Sequence, residues 1–170
     1  MVSKQEISDL LSQVKDPEIP VLSIDEMGIL EDINITDDKI EVRIIPTYLG
    51  CPAMEMIRLQ IHQVLYSAGI RDFTIRQLNT PAWTTDRISA AARQKMMDYG
   101  ISPPIDGENI DKLLSESSHI PCPNCGSTAT SVKSAFGSTA CKALMVCSVC
   151  KEPFEYFKCF KAATRETHFN

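Results

Sequence analysis

Two cysteine knuckles, Cys122-Pro123-Asn124-Cys125-Gly126 and Cys147-Ser148-Val149-Cys150, stand 21 residues apart near the C-terminus. A C-x2-C turn aims two sulfurs at one point and lets backbone N–H groups donate to them. Two such turns supply the donors of a zinc tetrahedron, and the interval exceeds the usual ~15–20 residues by enough for one β-hairpin. The spacing therefore predicts a zinc ribbon in which Cys122, Cys125, Cys147 and Cys150 hold a structural, tetrathiolate zinc. A site closed by four sulfurs has no open position to activate water, so it would fold the tail and present a docking surface. Iron in place of zinc stays open. Gly126 is expected because a side chain would clash at the turn. Two disulfides would require export, and the opening MVSKQEISDLL has no apolar run of signal-peptide length.

A lone thiol, Cys51, sits in Pro46-Thr47-Tyr48-Leu49-Gly50-Cys51-Pro52, between a strand end and a helix start. Free N–H groups and the positive end of the helix dipole would stabilise its thiolate and lower its pKa. The plainer reading is a small buried cysteine at a helix cap. Asp16-Pro17-Glu18-Ile19-Pro20 carries two carboxylates on a loop stiffened by prolines, suited either to holding ligands still or to stopping a helix. Cys141 and Cys159 fall on expected strands, as small core residues, as a second soft site reaching Cys51 across the domains, or as a redox pair. His62, His119 and His168 share no ligand spacing and are not assigned as ligands. Trp83 reads as a core residue first and a partner anchor second. Met54, Met56, Met96 and Met97 read as structural. No Gly-rich phosphate loop, dinucleotide fingerprint or serine elbow occurs.

These groups must be positioned by few elements. Ser3 and Glu6 form a capping box, and Ile7, Leu10, Leu11 and Val14 make one stripe of a helix that stops before Asp16-Pro17. Strands over Ile29–Ile35 and Ile40–Ile45 flank the turn Thr36-Asp37-Asp38-Lys39, with Ile40, Val42 and Ile44 alternating with Glu41 and Arg43. A second helix opens with Pro52 at its first position, and Met54, Ile57, Ile61, Val64, Leu65 and Ala68 share its apolar side until Gly69. Asp72–Leu78 is a third strand, parallel to the second because a helix crosses between them. A last helix after Thr84-Thr85-Asp86 buries Ile88, Ala91, Ala92, Met96 and Tyr99 and ends at Gly100. The order α-β-β-α-β-α predicts an α+β fold: a small mixed sheet with packed helices, followed by an antiparallel β zinc ribbon. We expect residues 1–105 as one domain, 106–118 as linker, 119–163 as the ribbon and 164–170 as a frayed tail.

The 170 residues, 44% apolar, suffice for one substantial core and a small appendage. No stretch approaches the ~20 consecutive apolar residues of a membrane span, so a cytoplasmic protein without membrane partners is expected. Residues 1–120 carry 11 basic and 19 acidic side chains (−8), whereas residues 121–170 carry 6 and 3 (+3). The acidic first part opposes phosphates, and Lys133, Lys142, Lys151, Lys158 and Lys161 form no arginine cluster, which disfavours nucleic acid as a partner. Exposed sheet edges leave homo-oligomerisation open.

Asp16-Pro17-Glu18-Ile19-Pro20, Ser23-Ile24, Met27-Gly28-Ile29 and Thr47-Tyr48-Leu49-Gly50-Cys51-Pro52 resemble the SufT-like iron-sulfur assembly-factor domain. Pro81-Ala82-Trp83-Thr84-Thr85-Asp86, Gly100-Ile101-Ser102-Pro103-Pro104 and the ribbon stretch Phe136 to Leu144 extend the likeness along nearly the whole chain. There it resembles the PaaD (PaaJ) family of bacterial phenylacetate degradation. The resemblance implies a non-catalytic accessory of the phenylacetyl-CoA epoxidase system that helps mature its metal centres. The epoxidase or its reductase subunits and the iron-sulfur assembly machinery would be its partners. Under that reading Cys51 handles transient iron, an iron-sulfur fragment or a persulfide, with Asp16 and Glu18 as hard ligands and Thr47 adding a hydroxyl. A thiol-dependent enzyme using Cys51 and a nucleic-acid-binding zinc ribbon are the competing readings.

Overall fold

The computed structural model describes residues 2–36, 39–105 and 119–158. Helix α1 (Lys4–Leu11) begins at a complete capping box: the Ser3 side chain accepts from the Glu6 N–H, while the Glu6 carboxylate accepts from the Ser3 N–H at 2.7 Å. Its apolar stripe buries Ile7 and Leu11, and Val14 continues the same face beyond the last turn. Strands β1 (Leu30–Thr36) and β2 (Lys39–Ile44) pair antiparallel. Ile40, Val42 and Ile44 point into the core, while Glu41 and Arg43 pair at 2.5 Å on the wetter face. The central residues of the expected turn, Asp37 and Asp38, lie outside the described residues.

Helix α2 (Ala53–Ser67) crosses the sheet and returns the chain to β3 (Phe73–Gln77), parallel to β2. The sheet order is β1-β2-β3. Pro52 is the cap residue of α2 rather than its first helical residue, and Ala68, also a cap, is exposed. Helix α3 (Ala90–Tyr99) starts later than the sequence suggested. Thr85–Arg87 forms one 3-10 turn, and the Ser89 hydroxyl accepts from Ala92 N–H to set the true start. The later start rotates the buried side onto Ala92 and Met96 and leaves Ala91 and Tyr99 exposed, while Ile88 is buried just before the helix.

Beyond α3 the chain does something the sequence reading did not anticipate. Ile101–Ser102 forms a short strand, β4, that joins the C-terminal sheet instead of simply ending the first unit. With β5 (Thr130–Ser134), β6 (Lys142–Cys147) and β7 (Pro153–Phe157) it gives the order β4-β7-β6-β5. The three ribbon strands are antiparallel, and β4 adds a parallel edge. Ser102 is fully buried at this seam and donates to the Pro121 carbonyl at 3.0 Å. The fold is thus α+β: three helices with a three-stranded mixed sheet, and a four-stranded C-terminal sheet.

Two apolar clusters result. The larger is built almost wholly from residues before Ser102, with Cys141 and Phe157 inserted from the ribbon. The smaller holds Ile120, Cys122, Ala143, Met145, Cys147, Phe154 and Tyr156. Trp83 is a core residue, donating to the Met27 carbonyl at 2.8 Å and meeting the Phe157 ring edge-on at 6.1 Å. The turn carrying that carbonyl needs Gly28, whose φ is +65° and where a Cβ would lie 2.4 Å from the Arg87 Cβ. Gly28→Ala therefore combines a left-handed backbone cost of ~1–2 kcal/mol with an overpacking cost of ~1–3 kcal/mol. Gly69→Ala, at φ +84° with open space around it, should bear only the backbone part. Urea unfolding of both variants should show the larger loss at Gly28, and equal losses would refute the close approach to Arg87.

Candidate metal centre and the Cys51 site

The four knuckle sulfurs converge. Their ligand atoms all lie within 4.8 Å of one another, with Cys122–Cys150 at 3.7 Å and Cys125–Cys147 at 3.6 Å. A tetrahedron with metal–sulfur bonds of ~2.3 Å has sulfur–sulfur edges of about 3.8 Å, so the donor set fits a metal of zinc's size without rearrangement. Protonation follows the surroundings. The Glu152 N–H and the Asn124 side chain hold the Cys150 thiol down at about 6. The Cys150 N–H lowers Cys147, which also accepts from Val149 N–H at 3.4 Å. Burial raises Cys122. At Cys125 the Ser127 N–H pulls downward, but burial and neighbouring thiols prevail and push it up to about 11. Each close pair thus joins a thiol that ionises readily to one that does not. A metal supplies the positive charge that lets all four ionise.

Gly126 stands at φ +72° with open space where a Cβ would project, so its backbone angle, not a clash, is what favours glycine. The second knuckle solves the same problem without glycine. Lys151, also just after its cysteine pair, has φ 68°, and its ammonium donates to the Ser148 carbonyl at 2.6 Å.

The second site lies where the domains meet. Asp16 is buried, and its Oδ1 accepts the N–H groups of Glu18 and Ile19, each at 2.8 Å. That turn shapes the loop and leaves Glu18 projecting. Burial raises the Asp16 carboxyl despite those two N–H groups. The Glu18 carboxylate accepts from the Cys141 thiol at 2.7 Å, although 123 residues separate them. Cys51 is partly buried, and the N–H of Ala53 and the hydroxyls of Tyr48 and Thr47 are directed at its sulfur. The charge of Glu18 reaches Cys51, Tyr48 and Cys141 alike.

This corrects the expected acidity of Cys51. Burial pushes its thiol above the ordinary range, and the Glu18 charge adds to the rise. The start of α2 and the two hydroxyls offset only part of it. Burial, followed by the bond to Glu18, raises Cys141 more strongly. Tyr48, given no role from the sequence, donates to Cys51, and Thr139 contacts Cys141 at 3.1 Å. Both flank cysteines inside the two motifs already singled out, a signal that sequence reading could have used. Cys159 and His168 lie outside the described residues. His62 sits on the exposed side of α2 against Tyr66 and Phe73, and His119 is exposed. No helix among the described residues is long and apolar enough to cross a membrane.

A thiol held protonated reacts slowly. With the ribbon metal in place, iodoacetamide labelling of Cys51, followed by peptide mass spectrometry, should climb about tenfold per pH unit from about pH 7 to about pH 9. The sign follows from the thiolate fraction, which grows with pH throughout the range below the raised pKa. A plateau below about pH 8 would show the helix terminus prevailing over burial.

Comparison with known proteins matches two stretches of the chain separately. Residues 4–70 match the family described as iron-sulfur cluster assembly protein, and residues 106–158 match the PaaD zinc beta ribbon domain. A protein of Escherichia coli (strain K12), described provisionally as one of the subunits of 1,2-phenylacetyl-CoA epoxidase, is 42% identical over 154 residues, covering 91% of this chain and 92% of that one. The Fe-S protein maturation auxiliary factor YitW of Bacillus subtilis (strain 168) is 28% identical over 92 residues, covering 53% of this chain and 89% of its own. A solved structure of a conserved hypothetical protein from Thermotoga maritima is 27% identical with a TM-score of 0.49, covering 56% of this chain and 94% of that chain. With an iron-sulfur assembly domain followed by the ribbon that carries four convergent cysteines, this chain belongs to the PaaD family.

Proposed function

We propose that this protein is a non-catalytic accessory of a phenylacetyl-CoA epoxidase system and assists the assembly of its metal or iron-sulfur centre. One observation carries the reading: in a PaaD-family chain, the stretch that matches the iron-sulfur cluster assembly family holds both Cys51 and the Asp16–Pro20 loop. Iron or an iron-sulfur fragment is cargo here, held through Cys51 and Glu18 with Thr47 and Asp16 in support. A sulfur and a carboxylate together bind ferrous iron more loosely than a full thiolate cage, which suits release. The partners are the epoxidase or its reductase subunits and the assembly machinery, in the cytoplasm. Residues 1–105 act as the assembly unit, 106–118 as linker, 119–163 as ribbon and 164–170 as tail.

In the same reading the ribbon cysteines hold zinc, which supplies rigidity to the tail and no reactive position. Zinc content near one equivalent per chain should fall to near zero when Cys122→Ser removes a ligand, with loss of ribbon protection in hydrogen exchange. Iron as the resident metal would refute this assignment. The enzyme alternative fares worse, because burial raises the Cys51 thiol while His62, the histidine that follows it in sequence, stacks on Tyr66 and lies tilted against Phe73.

The accessory role is tested in a strain lacking this gene. The wild-type chain should restore growth on phenylacetate and the iron content of the purified epoxidase. Cys51→Ala should restore neither. Full restoration by Cys51→Ala, or turnover of an epoxidase substrate by this chain alone, would overturn the proposal.

A further inference from the structure

Cys141 belongs to the ribbon by sequence but to the first domain by burial. It is 3% exposed and packs within the larger core, the cluster against which Tyr48 and Cys51 also lie. Its sulfur meets the Glu18 carboxylate at 2.7 Å, with the Thr139 hydroxyl at 3.1 Å on the same sulfur. A buried cysteine that served packing alone would have no use for a carboxylate, whose partial desolvation is costly unless something compensates it. Among the described residues no lysine or arginine pairs with that carboxylate. The adjacent buried ammonium, Lys142, is engaged by Glu155 at 2.9 Å and donates to the main-chain carbonyl of Glu18 at 3.3 Å. Lys158, whose charge interacts with Cys141, donates to the Ala135 carbonyl. Among the described residues the donor on the Glu18 carboxylate is therefore a neutral thiol, whose proton a thiophilic cation replaces.

Resting on the reading that Cys51 handles metal, we propose that Cys141 supplies a second sulfur to the same cargo site. A thiophilic divalent ion is then held between the domains by the Glu18 carboxylate and the sulfurs of Cys141 and Cys51. Each thiol that ligates gives its proton to solvent. Among the described residues, only the ribbon knuckles bring three or more ligand atoms within 4.8 Å of one another, so the second site is not a finished cage. Glu18 and Cys141 form its preset pair, and Cys51, which packs against the same apolar cluster as Cys141, closes on the ion by a side-chain movement. A site that must close to bind also opens to release. Because one sulfur comes from the ribbon, the cargo site is complete only while the ribbon is folded onto the first domain.

The test uses the full chain with its ribbon loaded with zinc, titrated with cobalt(II) while zinc release is monitored. We expect one cobalt per chain beyond the zinc, with a sulfur-to-cobalt charge-transfer band and two sulfurs per cobalt by X-ray absorption. Cys141→Ser keeps a hydroxyl donor toward Glu18, so retained zinc certifies its fold. It should weaken cobalt binding at least about tenfold, the scale on which even supporting groups alter metal affinity, and roughly halve the band. If Cys141→Ser leaves affinity and band unchanged while Cys51→Ser abolishes them, the shared site is wrong and the Cys51 reading stands. A single sulfur per cobalt in the wild-type chain also rules out the shared site. Absence of any cobalt beyond the ribbon zinc overturns both.

Discussion

The ribbon cannot hold itself together by burial alone. Its own apolar cluster amounts to seven buried residues, two of them knuckle cysteines, far fewer than the first domain's core. Convergence of four sulfurs on one point is therefore the constraint on which the C-terminal half depends. It fixes the turns before β5 and between β6 and β7, and so fixes where β6 and β7 can lie. Once those strands are placed, Cys141 and Phe157 reach across to the first domain, and β4 can add to the exposed side of β7. A group that holds the sulfurs thereby also governs a contact formed at some distance from it.

The first domain meets this contact with a stiff loop. Asp16 spends one carboxylate oxygen on the backbone N–H groups of Glu18 and Ile19, and the neighbouring prolines limit the alternatives. Glu18 is left projecting at the seam. The two acidic residues, similar in sequence, therefore have separate duties: one shapes the loop and the other faces the thiols. Burial in turn raises both thiols above the ordinary range, which disfavours a free thiolate at the seam.

Much of this was legible in the residues themselves. Helix α1 followed from its capping box and stripe, the parallel pairing of β2 with β3 followed from the crossover, and the knuckles declared their convergence by spacing. Such features depend on neighbours within a few residues, where periodicity and turn geometry dictate the outcome. Misplaced limits had local causes too: the last helix starts at Ala90 and not directly after Asp86, because a 3-10 turn over Thr85–Arg87 intervenes and Ser89 supplies the cap.

What the amino-acid order determined by itself was the set of elements, the four-sulfur donor set and the presence of a thiol at the start of α2. Tertiary structure alone decided that Cys141 rests on Glu18, that Phe157 meets Trp83, and that Ile101–Ser102 serves the ribbon's sheet. It also reversed the acidity expected of Cys51, since a helix terminus can be read from sequence whereas the depth at which it is buried cannot. Contacts between residues more than a hundred positions apart are chosen by how two apolar surfaces fit, and no short-range pattern encodes that fit.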